Sequence, residues 1–349
     1  MRRCKAGILI QGEPERAVRV ESWPMRALTC KEYGPPESLV IDEWDDPVPA
    51  DNEILIDVKA AGLNFADVLM IAGEYQVRTP PPFIPGNEAS GVVSAVGSKV
   101  TRFKIGDHII GALRGGAFAE KAVVEENLAV PLPEGLSFAQ GAAYSVAYGT
   151  SYHALKQGAR LQPGETVLVL GAAGGVGNTA VELAKAMGAT VIAAASSSEK
   201  LAFAREAGAD LTIDYASAPL KQTVKEMTNG KGVDVVYDPV GGDLAEQALR
   251  ALGWHGRYLV IGFASGDIPK FPINLALLKE ASIVGVWWGP WAARHTDEML
   301  ENMRELDHMI AAGKLRPRYS EAFAFDDFTS AFRVITERRV LGKVVLTIP

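Results

Sequence analysis

The stretch with the most chemistry in it is Gly171-Ala172-Ala173-Gly174-Gly175-Val176-Gly177. It follows the apolar run Thr166–Leu170, which is continuous and β-rich, as a strand buried on both faces is. After it, Asn178 to Met187 sets Ala180, Val181, Ala184 and Met187 on one helical stripe, and a second apolar run, Thr190–Ala195, comes next. Gly174 has no Cβ, so a pyrophosphate can come close to the backbone there. Gly177 lets the helix pack tightly on the strand. The helix start offers unpaired N–H groups and a positive dipole to an anion. Ala172 stands at the first position of the G-x-G-x-x-G fingerprint, so the match is a variant. Its force comes from the strand before it, the helix after it and the second strand beyond. The chemistry this implies is the holding of a dinucleotide.

The tip of that second strand bears on which dinucleotide. An NAD site carries Asp or Glu roughly 20 residues past the glycines, where it holds the ribose 2′-hydroxyl. Here the chain reads Ala195-Ser196-Ser197-Ser198-Glu199-Lys200. A small, neutral tip with hydroxyls and a cation suits a 2′-phosphate, so NADPH is the expected cofactor. Ser196-x-x-Glu199 also reads as a capping box for the next helix, and a cap there leaves Lys200 free. Metal chemistry has little to work with. His108, His153, His255, His295 and His308 are scattered, and the cysteines are only Cys4 and Cys30. Tetrahedral zinc wants thiolate, imidazole or carboxylate at set spacing, and no such set is present. The expected metal is none.

These residues must be positioned by a chain of 349 residues, long enough for two domains. Hydrophobic residues make up 48% and charged residues 22%, as in an ordinary soluble protein. No apolar run approaches the roughly 20 residues of a membrane span. A net charge of −7 with no basic stripe argues against nucleic acid as the main ligand. Two cysteines suit a reducing compartment, so a cytoplasmic location is expected. Residues 1–24 hold five basic residues against three glutamates, a net +2 that leaves −9 for the rest, and they read as an N-terminal extension before the strand Met25–Thr29.

From Met25 to about Val146 the pattern is short strands and turns, including Glu53–Ala60, Gly91–Gly97 and Phe103–Ile110. Pro80 to Pro85 fits only an extended loop. This predicts a compact β-barrel-like domain. After Gly164, strands alternate with helices. The strands are Thr166–Leu170, Thr190–Ala195, Asp210–Tyr215, Val233–Tyr237, Gly256–Gly262 and Ser282–Trp287. The helices between them include Glu199–Ala207, Pro219–Thr228 and Leu244–Leu252. Six strands with right-handed crossovers make one doubly wound parallel sheet. A helix over Met299–Ala312 and a strand over Gly342–Ile348 return to the first domain, leaving a cleft between the two.

The chain resembles the medium-chain dehydrogenase/reductase superfamily, and within it the zinc-free quinone oxidoreductase (zeta-crystallin-like) branch. The likeness runs from about Met25 to Pro349. It rests on Ala61-Gly62-Leu63-Asn64-Phe65-Ala66-Asp67, Gly73-Glu74-Tyr75, Pro85-Gly86-Asn87-Glu88, Gly106-Asp107, Ala172 to Gly177, Asp238-Pro239-Val240-Gly241-Gly242 and Gly342-Lys343-Val344-Val345. It implies an α/β architecture in which a Rossmann domain, residues 149–288, is inserted in a GroES-like β-barrel catalytic domain, residues 25–148 and 289–349. Where zinc-dependent relatives carry a ligand cysteine and Gly-His-Glu, this chain has Asn64 and Gly86-Asn87-Glu88.

The resemblance implies catalytic roles for Asn64, which orients the nicotinamide or the acceptor oxygen, and for Tyr75, a hydrogen-bond donor. Asn64 is at the same time a fitting cap for a helix starting at Phe65. The implied cofactor positions are Asn64, Thr150, Ala173, Gly174, Gly175, Val176, Ser196, Lys200, Tyr215, Val240, Ile261, Gly262, Phe263, Ala264, Val286, Trp287, Trp288 and Lys343. The run Trp287-Trp288-Gly289-Pro290-Trp291 offers either stacking for a flat substrate or packing across a two-fold axis at the sixth-strand edge, where relatives form homodimers. The implied activity is NADPH-dependent hydride transfer to a quinone or another activated α,β-unsaturated carbonyl. The alternatives are an enoyl-thioester reductase with Tyr75 as acid, and a non-catalytic NADPH-binding protein like the lens crystallins.

Overall fold

The computed structural model describes residues 24–349, so the extension read over residues 1–24 falls outside the described residues but for Pro24. The chain begins with the antiparallel pair β1 (Met25–Thr29) and β2 (Val40–Trp44). There follow β3 (Glu53–Leu63), α1 (Phe65–Ile71), β4 (Glu88–Val96), β5 (His108–Ala112), β6 (Lys121–Glu125) and β7 (Ala129–Pro131). β3 buries Ile54, Ile56 and Val58 on one face, as its alternation predicts. It runs three residues beyond the expected end at Ala60. The added stretch pairs with the end of the chain, with Leu63 opposite Val344 and Ala61 opposite Leu346.

Helices α2 (Phe138–Ala142) and α3 (Ser145–His153) lead into the second sheet. Its elements are β8 (Thr166–Leu170), α4 (Gly175–Ala186), β9 (Thr190–Ala195), α5 (Ser198–Glu206), β10 (Leu211–Asp214), α6 (Leu220–Met227), β11 (Val233–Asp238), α7 (Gly242–Ala251), β12 (Leu252–Val260), α8 (Asn274–Lys279) and β13 (Ser282–Gly285). The strand order is β10-β9-β8-β11-β12-β13 and every pair is parallel. This is the doubly wound Rossmann arrangement, whose order reverses between β8 and β11. In sheets of this kind ligands bind at that reversal, outside the carboxyl ends of the strands. β8 shows why the sheet is buried on both sides. Val167 and Val169 enter the layer with Ala180, Leu183 and Leu306, while Leu168 and Leu170 enter the opposite layer with Val224, Ala245 and Leu249.

The chain ends with α9 (Trp288–Arg294), α10 (Thr296–Ala311), β14 (Tyr319–Ala324), α11 (Phe328–Thr336) and β15 (Lys343–Thr347). β15 lies between β14 and β3 in the first sheet, of order β14-β15-β3-β4-β5-β7 with β6 beside β3. The two ends of the chain thus build one sheet, and the Rossmann sheet is inserted between them. Helix α10 goes elsewhere: Met299, Met303 and Leu306 are buried with the Rossmann strands and α3. The expected sixth strand stops at Gly285 rather than Trp287, because Trp288 already starts α9, with Pro290 in the first turn where no N–H is required.

Candidate active site

The glycine turn is built as its sequence demands. Gly174 is the extended N-cap and α4 begins at Gly175. A Cβ on Gly177 would lie 2.2 Å from the Gly171 carbonyl oxygen, so helix and strand touch only because that atom is absent. A Cβ on Gly174 would meet nothing closer than 3.4 Å. Protein packing does not require glycine at 174, and the space left open there is the cradle an anion needs beside the free N–H groups of a helix start. The residues fit a dinucleotide diphosphate.

The rim of the crevice is laced by backbone. Gly171 abuts Val240. The Asp238 carboxylate accepts the Val240 and Gly241 N–H groups at 2.7 and 2.9 Å, and burial pushes its carboxyl above the usual range. Ile261 and Gly262 donate to the Asp238 carbonyl at 2.9 and 3.3 Å, Ala264 to the Pro239 carbonyl at 3.0 Å, and Val286 to Val260 at 3.0 Å. So Ala173 to Val176, Val240, the loop Ile261-Gly262-Phe263-Ala264 and Val286 line one edge, at the ends of β8, β11, β12 and β13. Beneath it, Ser151 donates to the Val176 carbonyl at 3.0 Å and meets the Thr179 and Tyr237 hydroxyls at 2.8 Å. Its neighbour Thr150 is half-buried in the middle of α3, beside the start of α4.

Past the tip of β9, the cap of α5 is Ser197, whose side chain accepts the Lys200 N–H at 3.3 Å. This corrects the expected capping box, which put the cap one residue earlier on Ser196. Ser196 is thereby left for the ligand side. It lies 3.4 Å from the Lys200 ammonium, and while burial holds the proton of the Tyr215 phenol more firmly, Ser196 eases its ionisation. Lys200 donates to the Arg338 carbonyl at 2.7 Å, and burial and then Arg338 lower its pKa. Arg338 completes this cationic pair, with its own guanidinium on the Ser265 carbonyl at 3.1 Å. It has a left-handed backbone, φ 57°, a strain that clusters at ligand sites. Sequence reading missed it. The only signal was two adjacent arginines ahead of Gly342-Lys343.

At the other end, Asn64 caps α1, and its N–H is accepted by Asp67 at 2.7 Å. Its amide nitrogen donates to Glu88 at 2.9 Å and its oxygen accepts from the Lys343 ammonium at 2.6 Å. Asp67 also takes the Asn87 amide at 2.8 Å. Asp67 is fully buried, and loss of hydration raises its pKa from 3.8 to about 7. Lys343 requires correction as a cofactor contact. Its ammonium is held by the Leu63 carbonyl, Asn64 and Glu88, and only its stem reaches the glycine turn, beside Gly175. Tyr75 follows α1, half-buried, its N–H on the Leu69 carbonyl at 3.1 Å. The tryptophans divide. The Trp288 ring is buried against Gly149, Trp291 stacks between His153 and His295, and Trp287 is 51% exposed. Trp288 is therefore core, and Trp287 keeps an open indole.

Residues 50–134 match the family model for the alcohol dehydrogenase GroES-like domain and residues 175–305 that for zinc-binding dehydrogenases. The chain is 39% identical to the quinone oxidoreductase-like protein 2 homolog of Nematostella vectensis, over 97% of this chain and 94% of that protein. It belongs to the medium-chain dehydrogenase/reductase superfamily, in its zinc-free quinone oxidoreductase-like branch. Two solved structures of this superfamily fold bear on the site. The Escherichia coli quinone oxidoreductase complexed with NADPH is 32% identical, with a TM-score of 0.85 over 93% of this chain and all of that one. The CurK enoyl reductase is 28% identical, with a TM-score of 0.86 over 94% of this chain and all of that one.

The zinc in the second model's description does not fit this member. Among the described residues no three His, Cys, Asp or Glu side chains gather as a ligand set. Carboxamides stand at 64 and 87, and the nearby Glu88 carboxylate is bound to Lys343. No helix among the described residues is long and apolar enough to cross a membrane.

Proposed function

We propose that this protein is an NADPH-dependent, zinc-independent reductase that passes a hydride to a quinone or another activated α,β-unsaturated carbonyl. The observation that carries the reading is the open space at Gly174 at the start of α4, a place where a diphosphate can approach bare backbone. The cradle would hold the diphosphate, Ser196, Lys200, Tyr215 and Arg338 would hold the 2′-phosphate, and Asn64 would orient the nicotinamide or the acceptor oxygen. NADPH when bound supplies the hydride. The acceptor takes that hydride and one proton, giving NADP⁺ and the hydroquinone. The acceptor carbon is electrophilic by conjugation, so orientation is most of what the protein must add. Kinship with quinone oxidoreductases supports the substrate class.

The second reading is reduction of an enoyl thioester with Tyr75 giving the proton. It is favoured by the likeness to the enoyl reductase. NADPH oxidation with 1,4-naphthoquinone and with crotonyl-CoA separates the two. Quinone turnover that survives Tyr75→Phe supports the first, and crotonyl-CoA turnover abolished by Tyr75→Phe supports the second. Stoichiometric NADPH binding without turnover of either makes the protein a binder.

For partners, the reading is a homodimer through the β13 edge. Among the described residues no strand lies beyond that edge, and Ile273, Leu277 and Leu278 stand 74%, 77% and 66% exposed on the adjacent α8 segment. A cytoplasmic location is proposed from the cysteine usage.

A further inference from the structure

The segment 338–343 passes all three parts of the site. Arg338 meets Lys200, the Gly342 N–H donates to the Ala173 carbonyl at 2.7 Å, and Lys343 reaches Asn64. We propose that Lys343, held by Glu88, is a positioning residue that fixes the Asn64 amide and ties it to the glycine turn. The proposal rests on the reading that NADPH lies along this path.

A lysine ammonium has three protons and no lone pair. All three are taken here, by the Leu63 carbonyl at 2.9 Å, by Asn64 Oδ1 at 2.6 Å and by the Glu88 carboxylate. A donor-only cation on one side of Asn64 and an acceptor-only anion on the other leave its amide a single orientation. The oxygen must face Lys343 and the nitrogen must face Glu88. One N–H and one lone pair of Asn64 then remain, in fixed directions, for a nicotinamide or an acceptor oxygen. Without the pair the amide can flip, and donor and acceptor exchange places.

Glu88 is itself held. Its second oxygen accepts the Val146 N–H at 2.9 Å and the Ser145 hydroxyl at 3.2 Å, at the start of α3. Both side chains of the pair are buried, Lys343 at 4% and Glu88 at 0% exposure. A buried ion pair is commonly no more stabilising than apolar side chains of the same size, so stability alone does not explain it. Orientation does. The tie to the turn is mechanical: the Lys343 stem fills the place a Cβ on Gly175 would approach to 2.9 Å. The residue that aligns Asn64 thus packs directly against the glycine turn.

The experiment is a double-mutant cycle with two ligands. The perturbation is Lys343→Met with Glu88→Gln, which removes both charges together, made with and without Asn64→Ala. Affinity for 2′,5′-ADP, which has no nicotinamide, reports folding and the adenosine end. Emission of bound NADPH reports seating of the nicotinamide. Single-turnover oxidation of NADPH by 1,4-naphthoquinone reports hydride transfer. The pair variant is expected to hold 2′,5′-ADP within about twofold of the parent, lose the emission enhancement and slow hydride transfer by about tenfold or more. In the Asn64→Ala background it should change the rate by less than about twofold. Lys343→Gln with Glu88→Gln keeps a donor on Asn64 and should recover most of the lost rate.

Losses that multiply across the cycle overturn the proposal, as does a parallel loss of 2′,5′-ADP binding. If neither double variant folds, the pair is a folding element and the proposal fails. A parent that holds NADPH yet reduces no acceptor refutes the reductase reading alone, and the emission cycle still judges Lys343. A parent that does not hold NADPH refutes both.

Discussion

Replacing Asp67 by asparagine should change how stability depends on pH, and burial of the carboxyl sets the sign. The Asp67 carboxyl is wholly buried, among the Asn64 N–H, the Asn87 amide, the Lys343 ammonium and the Glu88 carboxylate. Lost hydration and the Glu88 charge favour the neutral form. The Asn64 N–H, the Lys343 charge and the Asn87 amide oppose it, and the balance is a pKa of about 7 against an ordinary 3.8. Below the ordinary value both folded and unfolded chains carry the proton, and the native carboxyl incurs no penalty. Between the two values the unfolded carboxyl ionises while the buried one does not, so stability falls as pH rises. Above about 7 both are ionised and the penalty is constant, at most about 4 kcal/mol. The carboxamide that Asp67→Asn introduces still accepts the Asn64 N–H but does not titrate.

Urea unfolding of parent and variant at intervals from about pH 5 to about pH 8 measures the difference directly. The variant should gain on the parent by about 1.4 kcal/mol per pH unit up to about pH 6.5 and level off past about pH 7.5. A difference flat to within about 0.5 kcal/mol over that range means an ordinary, ionised carboxylate and refutes the reasoning.

The other predictions concern the ligand and the surface. Lys200→Ala removes a charged donor from the proposed 2′-phosphate pocket and should raise the NADPH Michaelis constant by roughly 10- to 100-fold with little effect on NADH. An equal change for both cofactors removes Lys200 from that pocket. Gly177→Ala places a methyl group 2.2 Å from the Gly171 oxygen and should cost about 2 kcal/mol or more in urea unfolding, with loss of NADPH binding. Leu277→Glu with Leu278→Glu should convert a dimer to a monomer in sedimentation velocity and leave NADPH affinity unchanged. A parent that sediments as a monomer refutes the β13-edge dimer.

Much of the fold was legible because it rests on local pattern. The continuous apolar run at Thr166–Leu170 can only be a strand covered on both faces, and the glycine spacing after it matches a turn whose steric demands recur in the structure at Gly177. The errors come where a local rule leaves two registers open or a contact spans the chain. Ser196, Ser197 and Ser198 all suit a cap, and composition cannot choose among them. The structure caps with Ser197, and so leaves Ser196 beside the Lys200 ammonium. Trp288 has the same surface chemistry as Trp287, and only the missing side chain of Gly149, far earlier in the chain, makes room for its ring.

The site depends on such distant encounters more than the fold does. Lys343 meets Glu88 from 255 positions away and Asn64 from 279. Neither distance is written in any motif, yet both follow once β15 pairs with β3. That pairing sets Val344 opposite Leu63, the last residue of β3, and so brings Lys343 next to Asn64, where α1 must begin. An inserted Rossmann domain therefore does more than supply a cofactor cradle. It forces the chain to return to its first sheet, and the returning segment, 338–343, meets Lys200, the Ala173 carbonyl and Asn64 in turn. The same connectivity that hid Arg338 and the role of Lys343 from sequence reading is what lets one short strap hold both ends of the site in register.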